Sequence, residues 1–94
     1  MKEMLVVGRL KEGKFEKFMG FMQSEVGMAE RKKVADVTKT VGTVAPDKRA
    51  VMFKIVVHNE DAMHAFVDGS NPVTKPVWDE VMESFEIFEL KKVR

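Results

Sequence analysis

Residues 49–58 (RAVMFKIVVH) place the strongest constraint on how this chain can fold, because apolar residues recur there at period two and predict a β-strand. One face of this strand is wholly apolar and consists of Val51, Phe53, Ile55 and Val57. The other face is mostly apolar but carries two ionisable groups, and it consists of Met52, Lys54, Val56 and His58. Both faces must therefore be covered. The helices of so short a chain can cover one, and the other needs a second sheet, a partner subunit or a ligand.

The composition predicts one globular domain over residues 1–94, since 45% of the residues are hydrophobic and 33% are charged. Sixteen basic and fifteen acidic residues nearly cancel, so no strong field attracts nucleic acid or an anionic membrane. The absence of cysteine excludes a thiolate nucleophile and a zinc–sulfur site. The apolar run near the N-terminus is too short for a membrane span. We expect a soluble cytoplasmic protein with neither nucleic-acid nor membrane partners.

The first half of the chain predicts three more elements. Residues 4–10 form a short apolar run that predicts the first strand. An apolar stripe at spacings of three and four predicts a helix from residue 15 to about residue 30. Gly20 and Gly27 are unfavourable inside a helix, so they could allow close backbone approach, or Gly27 could mark an earlier end or a kink. Residues 34–45 are rich in valine and threonine and predict the second strand, in which Gly42 could mark a bulge. A turn at residues 46–48 then leads into the strand at residues 49–58.

The second half predicts two short helices and a final strand. Asn59 is a good N-cap for a helix that ends near Gly69. An irregular connector follows at residues 70–76, and Pro76 can occupy the first position of a second short helix. Residues 85–90 (FEIFEL) predict the last strand.

Three consecutive basic residues, Arg31, Lys32 and Lys33, follow the first predicted helix. Their positive charges are suited to the negative end of a helix dipole. We interpret this triplet as a helix end and a solvated turn in preference to a phosphate site.

The element order β-α-β-β-α-β predicts a ferredoxin-like α+β fold, with a four-stranded antiparallel sheet in the order 4-1-3-2 and both helices on one face. With its chain length and the interrupted second helix at residues 66–78 (FVDGSNPVTKPVW), it resembles the dimeric α/β barrel superfamily. That superfamily includes the antibiotic-biosynthesis monooxygenase-like and stress-responsive A/B barrel domains. The resemblance implies a homodimer formed through the open sheet face, in a barrel-like assembly. No catalytic motif of those families is matched.

Few residues offer catalytic or metal-binding chemistry. His58 and Lys54 share a strand face at a spacing of about 13 Å, so they could line one cavity. His58 could act as a proton donor, a base or a ligand anchor, or could simply bond a loop carbonyl or water. His64 is expected on the flank of a helix. We predict no metal and no cofactor, because two histidines without a third ligand make a poor metal site and no phosphate-binding loop is present.

Methionine and phenylalanine are abundant, at eight and seven residues, whereas tyrosine is absent. Methionine is flexible and polarisable, so surfaces rich in it tolerate varied apolar ligands. We predict a pocket between the sheet and the helices, near residues 69–78, for a fatty-acid-like molecule. Its apolar walls are predicted to be Phe18, Met22, Phe53, Met63, Phe66 and Trp78. His58 and Lys75 are predicted to receive the polar head.

Three functions remain open at this stage. The first is binding of a small apolar or amphipathic ligand in this pocket. The second, suggested by the architecture, is a cofactor-free oxygenase or isomerase, which would need a histidine or acid with a perturbed pKa in the pocket. The third is a structural or protein-interaction dimer whose interior is filled by its own side chains. Ordinary core packing also explains many of the Met and Phe residues.

Overall fold

The computed structural model describes residues 2–93 as an antiparallel sheet with helices packed on one of its faces. The strands are β1 (Lys2–Leu10), β2 (Val41–Val44), β3 (Ala50–Val57) and β4 (Met82–Glu89). The helices are α1 (Phe15–Gln23), α2 (Glu25–Val34), α3 (Glu60–Asp68) and α4 (Lys75–Val81), with a 3₁₀ turn at Val37–Lys39.

The sheet has the order β2-β3-β1-β4, and all neighbouring strands run antiparallel. This is the predicted order 4-1-3-2 read from the other edge, so the ferredoxin-like α+β prediction is confirmed. Strands β3 and β1 occupy the centre, with Val6 opposite Phe53. Strand β2 is one edge and β4 is the other. The two central strands therefore carry most of the surface that the helices bury.

Strand β3 presents its two faces as its sequence predicts. Val51 and Ile55 are buried beneath the helices, whereas Met52 and Lys54 are exposed on the opposite face. The helix-facing side of the sheet supplies much of one apolar core. That core consists of Met4, Leu10, Phe18, Met22, Val34, Ala35, Val51, Ile55, Val57, Met63, Phe66, Val67, Trp78 and Val81.

Gly42 does not form the predicted bulge. The pairing of β2 with β3 is unbroken, from Val41 opposite Lys54 to Val44 opposite Val51. A Cβ added at Gly42 would lie 2.9 Å from the ring of its partner Phe53. Gly42 is therefore explained by the close approach of this aromatic ring, with no change of register.

The predicted helix at residues 15–30 is wrong in one respect, because it is two helices that meet at Ser24. The Ser24 hydroxyl accepts a hydrogen bond from the amide of Gly27 (3.0 Å) and donates one to the carbonyl of Phe21 (2.6 Å). Ser24 has extended backbone angles, so it ends α1 and caps the N-terminus of α2. In the sequence the apolar spacing runs on through Val26 and Ala29, which is why the sequence alone suggests one helix, but in the structure both side chains are exposed.

The predicted strand at residues 34–45 is also wrong over most of its length. Helix α2 continues to Val34, and the strand is confined to Val41–Val44. Between them the Asp36 carboxylate accepts a hydrogen bond from the amide of Thr38 (3.0 Å) and caps the 3₁₀ turn. An aspartate side chain that accepts a hydrogen bond from a nearby backbone amide often favours a turn over a strand. Here this bond outweighs the strand preference of the neighbouring Val and Thr residues. The last strand begins at Met82, earlier than the predicted residue 85.

Two glycines test the junction between α1 and α2, because one is in close contact with neighbouring atoms and the other is not. At Gly27 an added Cβ would lie 1.9 Å from the Phe21 carbonyl oxygen, whereas at Gly20 it would meet nothing within 4 Å. We expect Gly27→Ala to lower the free energy of unfolding by about 1–3 kcal/mol through overpacking. Gly20→Ala should raise it by about 1 kcal/mol, the gain in helix propensity. Urea denaturation measures both, and equal effects would contradict the close approach at Ser24.

Candidate ligand-binding site

An aromatic cluster around Trp78 fills one end of the space between sheet and helices. The ring centroids of Phe18, Phe21 and Phe66 lie 5.5, 5.6 and 5.7 Å from that of Trp78. The indole Nε1 donates a hydrogen bond to the carbonyl of Phe66 (2.5 Å), and the buried Thr74 hydroxyl donates to the same oxygen (2.8 Å). The Trp78 N–H is thus occupied within the protein and is not directed at a ligand.

Two small cavities adjoin beside this cluster, with volumes of about 60 Å³ and 40 Å³. The five residues that line both are Val6, Met22, Phe53, Phe66 and Val67. The larger cavity is also lined by Arg31, Val34, Ala35, Val37, Thr40, Ile55 and Met63. A cavity that accepts benzene measures about 150 Å³, so a ligand larger than a few atoms requires these side chains to move. Met22 and Met63 have the flexible side chains that permit such movement.

Five of the residues that line the larger cavity are half-buried, and three of them, Arg31, Val37 and Thr40, lie on or just after α2, so we place the opening there. The Arg31 guanidinium donates a hydrogen bond through Nη1 to the carbonyl of Met22 (3.1 Å) and lies 3.1 Å from the sulfur of Met28. Burial lowers the pKa of Arg31 from its ordinary value. An arginine nevertheless stays protonated in proteins, so this opening carries a positive charge.

Arg31 differs from the two other arginines within residues 2–93. Arg9 lies 3.9 Å from a carboxylate oxygen of Glu86, and Arg49 lies 3.2 Å from one of Glu83. Over the same residues no carboxylate lies within 4 Å of the Arg31 guanidinium. The charge at the opening is therefore not neutralised by a direct ion pair there.

The sequence interpretation of the basic triplet holds for two of its members. Lys32 and Lys33 are exposed at the end of α2, whereas Arg31 lines the cavity. The buried side of α2 includes Gly27, Glu30 and Val34, a stripe to which position 31 belongs. The sequence did not reveal that Arg31 faces the core, because the side of α2 that faces the core can be worked out only when the start of the helix at Ser24 is known.

The predicted site residues divide into two groups. Six of them line one or both cavities, and these are Phe18, Met22, Phe53, Met63, Phe66 and Trp78. That they bind a ligand stays a prediction. The other two do not line either cavity: His58 is exposed with Nε2 2.9 Å from the carbonyl of Lys32, and the Lys75 amine pairs with Asp79 at 3.0 Å. The opening lies by α2 and the 3₁₀ turn, not by the predicted connector at residues 69–78.

A polar cluster next to Arg31 joins α2 to the segment between α3 and α4. Glu30 is only 8% exposed, and its carboxylate accepts hydrogen bonds from the side-chain amide of Asn71 (3.0 Å) and the amine of Lys33 (2.9 Å). These two hydrogen bonds, that of Asn71 most of all, lower the pKa of Glu30, although burial acts in the opposite direction. The cluster holds the helix that carries Arg31 in place.

Two further observations concern the residues that the structure describes. No group of three or more His, Asp or Glu side chains within residues 2–93 is arranged to hold a metal ion. None of the helices there is long and apolar enough to cross a membrane.

Solved structures share this fold over nearly the whole chain. One from Agrobacterium tumefaciens matches 100% of this chain and 95% of its own, with a TM-score of 0.69 and 14% identity. A putative antibiotic biosynthesis monooxygenase from Bacteroides thetaiotaomicron matches over 99% and 90%, with a TM-score of 0.66 and 10% identity. An uncharacterized NIPSNAP domain protein from Burkholderia xenovorans matches over 99% and 95%, with a TM-score of 0.66 and 16% identity.

These similarities define the chain as a ferredoxin-like α+β protein with the architecture of antibiotic biosynthesis monooxygenases and NIPSNAP domains. The predicted resemblance is thereby confirmed for the fold. Identities this low carry no information about activity. No protein-family model matches the chain, and no curated protein matches it.

The Glu30 cluster predicts a pH-dependent contribution to stability. Because the pKa of Glu30 is lowered in the folded state, its stabilising effect is present above the ordinary carboxyl pKa and is lost as pH falls through the folded value. The stability difference between wild type and Glu30→Gln should therefore be largest near pH 7 and shrink on acidification below pH ~4. Urea denaturation across this pH range measures the difference. Glu12→Gln, at a side chain 91% exposed, is the control and should change stability little at pH 7.

Proposed function

We propose that this protein binds a small apolar or amphipathic molecule in the two adjoining cavities between sheet and helices. One observation carries the proposal. The core is filled by large side chains except at these apolar cavities, and the larger of them reaches the surface. Protein interiors are normally close-packed, so an unfilled apolar space in a core can take up an apolar molecule. Short chains fit first, and longer, fatty-acid-like ones require Met22 and Met63 to move aside.

A cofactor-free oxygenase or isomerase is the second candidate function, and it is less favoured. General acid–base catalysis requires a histidine, acid or similar group within hydrogen-bond reach of the reacting atoms. Among residues 2–93, no histidine or carboxylate lines either cavity. Arg31 and Thr40 are the polar side chains at the larger cavity, and they are suited to orienting a ligand more than to moving its protons.

The open face of the sheet supports a homodimer as the assembly in which the protein works. The face exposes Met52, Val41 and Phe88, the last with 46% of its surface accessible, and Leu5 and Val7 lie between them on β1. Lys54 and Glu86 lie among these residues on the same face, but exposed apolar side chains grouped in this way often mark interaction sites in soluble proteins. A second copy would supply the cover that β3 needs on this face. A purely structural dimer would share this interface but leave the cavities without a ligand.

The ligand proposal predicts that affinity depends on apolar chain length. We expect straight-chain alcohols, from butanol to decanol, to bind about fourfold more tightly per added CH₂ until the cavity is full, since each buried CH₂ contributes about 0.8 kcal/mol. Calorimetry and the fluorescence of Trp78 measure the affinity for each alcohol. Ala35→Leu, which adds volume at the larger cavity, should weaken binding, whereas Ala29→Leu on the exposed side of α2 should not. Affinity that is independent of chain length would contradict the proposal.

The dimer proposal predicts a mass near twice 10.7 kDa in light scattering at micromolar concentration. Phe88→Lys places a charge on the open sheet face and should shift the protein toward monomer, because an unpaired charge in an interface is costly. Val26→Lys is the matched control, since Val26 is 56% exposed on helix α2, away from the sheet. A wild-type mass of one chain, or equal effects of the two variants, would exclude this interface.

A further inference from the structure

We infer that the ligand of this site carries a carboxylate, bound by the Arg31 guanidinium at the opening of the larger cavity, with its apolar tail directed inward. This inference rests on the proposed function and names the ligand class for the same site. Its basis is the juxtaposition of one half-buried cation, without a carboxylate partner among residues 2–93, and an otherwise apolar cavity. A molecule that satisfies both parts must have a negative head and an apolar tail.

A structural role accounts for only one of the hydrogen-bonding nitrogens of Arg31. Its Nη1 donates to the carbonyl of Met22, one of the last carbonyls of α1, which lack helical partners. The same nitrogen lies close to the sulfur of Met28. A single donor would serve this purpose, yet arginine provides five. Helix termination therefore does not explain why a guanidinium is held at the cavity.

The remaining donors of Arg31 have no acceptor among residues 2–93 and are open to a ligand. Within residues 2–93, Nε and Nη2 donate to no protein acceptor. No fully buried side-chain nitrogen or oxygen in the same range lacks a partner, so these donors are reached by solvent. The planar fork of a guanidinium matches a carboxylate in a two-bond geometry, which a lysine amine cannot reproduce.

The neighbouring charges do not compete for this role. Lys33 pairs with Glu30 at 2.9 Å, and that carboxylate is further bonded by Asn71. Lys32 is exposed and does not line the cavity. The positive charge at the opening is thus that of Arg31, and the walls directly behind it, such as Ile55 and Met63, are apolar.

The test compares hexanoate with two neutral molecules of the same chain length, hexanol and hexanamide, by calorimetry. Wild type should bind hexanoate about 10-fold to 100-fold more tightly than hexanamide, the range expected for hydrogen bonds to a charged group. Arg31→Gln removes the charge and keeps an uncharged amide donor at the position of Nε. It should abolish the preference for hexanoate and leave hexanol affinity within about twofold. Lys32→Gln, the control one residue along the helix, should keep the preference.

The outcomes separate this inference from the proposed function. Tight binding of hexanol without preference for hexanoate would overturn the carboxylate and leave the apolar site standing. Absence of binding by hexanol, hexanoate and longer homologues would remove the proposed function, and the inference with it. If Arg31→Gln does not fold, Arg31→Lys replaces the fork with a point charge and should weaken hexanoate severalfold while hexanol is unchanged. An unchanged ratio of the two affinities in that variant would also overturn the inference.

Discussion

The structure depends on the burial of strand β3, which is wholly apolar on one face and mostly apolar on the other. Its helix-facing residues Val51 and Ile55 pack beneath α1, α2, α3 and α4, and their burial holds the helical layer to the sheet. Apolar burial of this kind contributes roughly 25 cal/mol per Å² and is the main favourable term in folding. Within residues 2–93, the helices pack on one side of the sheet, and the opposite face, with Met52 and Val56, carries none of them. That uncovered face is the reason for proposing a second copy of the chain there.

The helix break at Ser24 determines the character of the site. By ending α1 and starting a new helix, Ser24 sets the angular phase of α2 independently of the preceding stripe. The phase that results turns Gly27 against the carbonyl of Phe21, buries Glu30 and brings Arg31 to the cavity. A single continuous helix would have placed these residues elsewhere around its axis. One small polar residue thus decides which charge faces the core.

The packing beside the site explains why a void survives in a small protein. Three phenylalanine rings and the bonded indole of Trp78 form a cluster whose polar atoms are already satisfied. Rigid rings cannot spread to fill the space toward α2, and the adjoining walls are made by the flexible chains of Met22 and Met63. Such a wall can close over an empty cavity and open around a ligand without disturbing the hydrogen bonds of the backbone.

The sequence by itself determined the two faces of β3 and six residues that line the cavities, because these follow from periodicity within single elements. The fold class and the strand order followed from the order of those elements along the chain. It did not determine the break at Ser24, the short β2, or the placement of Arg31 at the opening and of His58 and Lys75 away from it. Each of these depends on how one segment lies against another: the Phe21 carbonyl against Gly27, the Phe53 ring against Gly42, and the buried side of α2 against the sheet. Distances between segments that are far apart in the chain are not encoded in local pattern, so only the tertiary structure decided where the charge and the void meet.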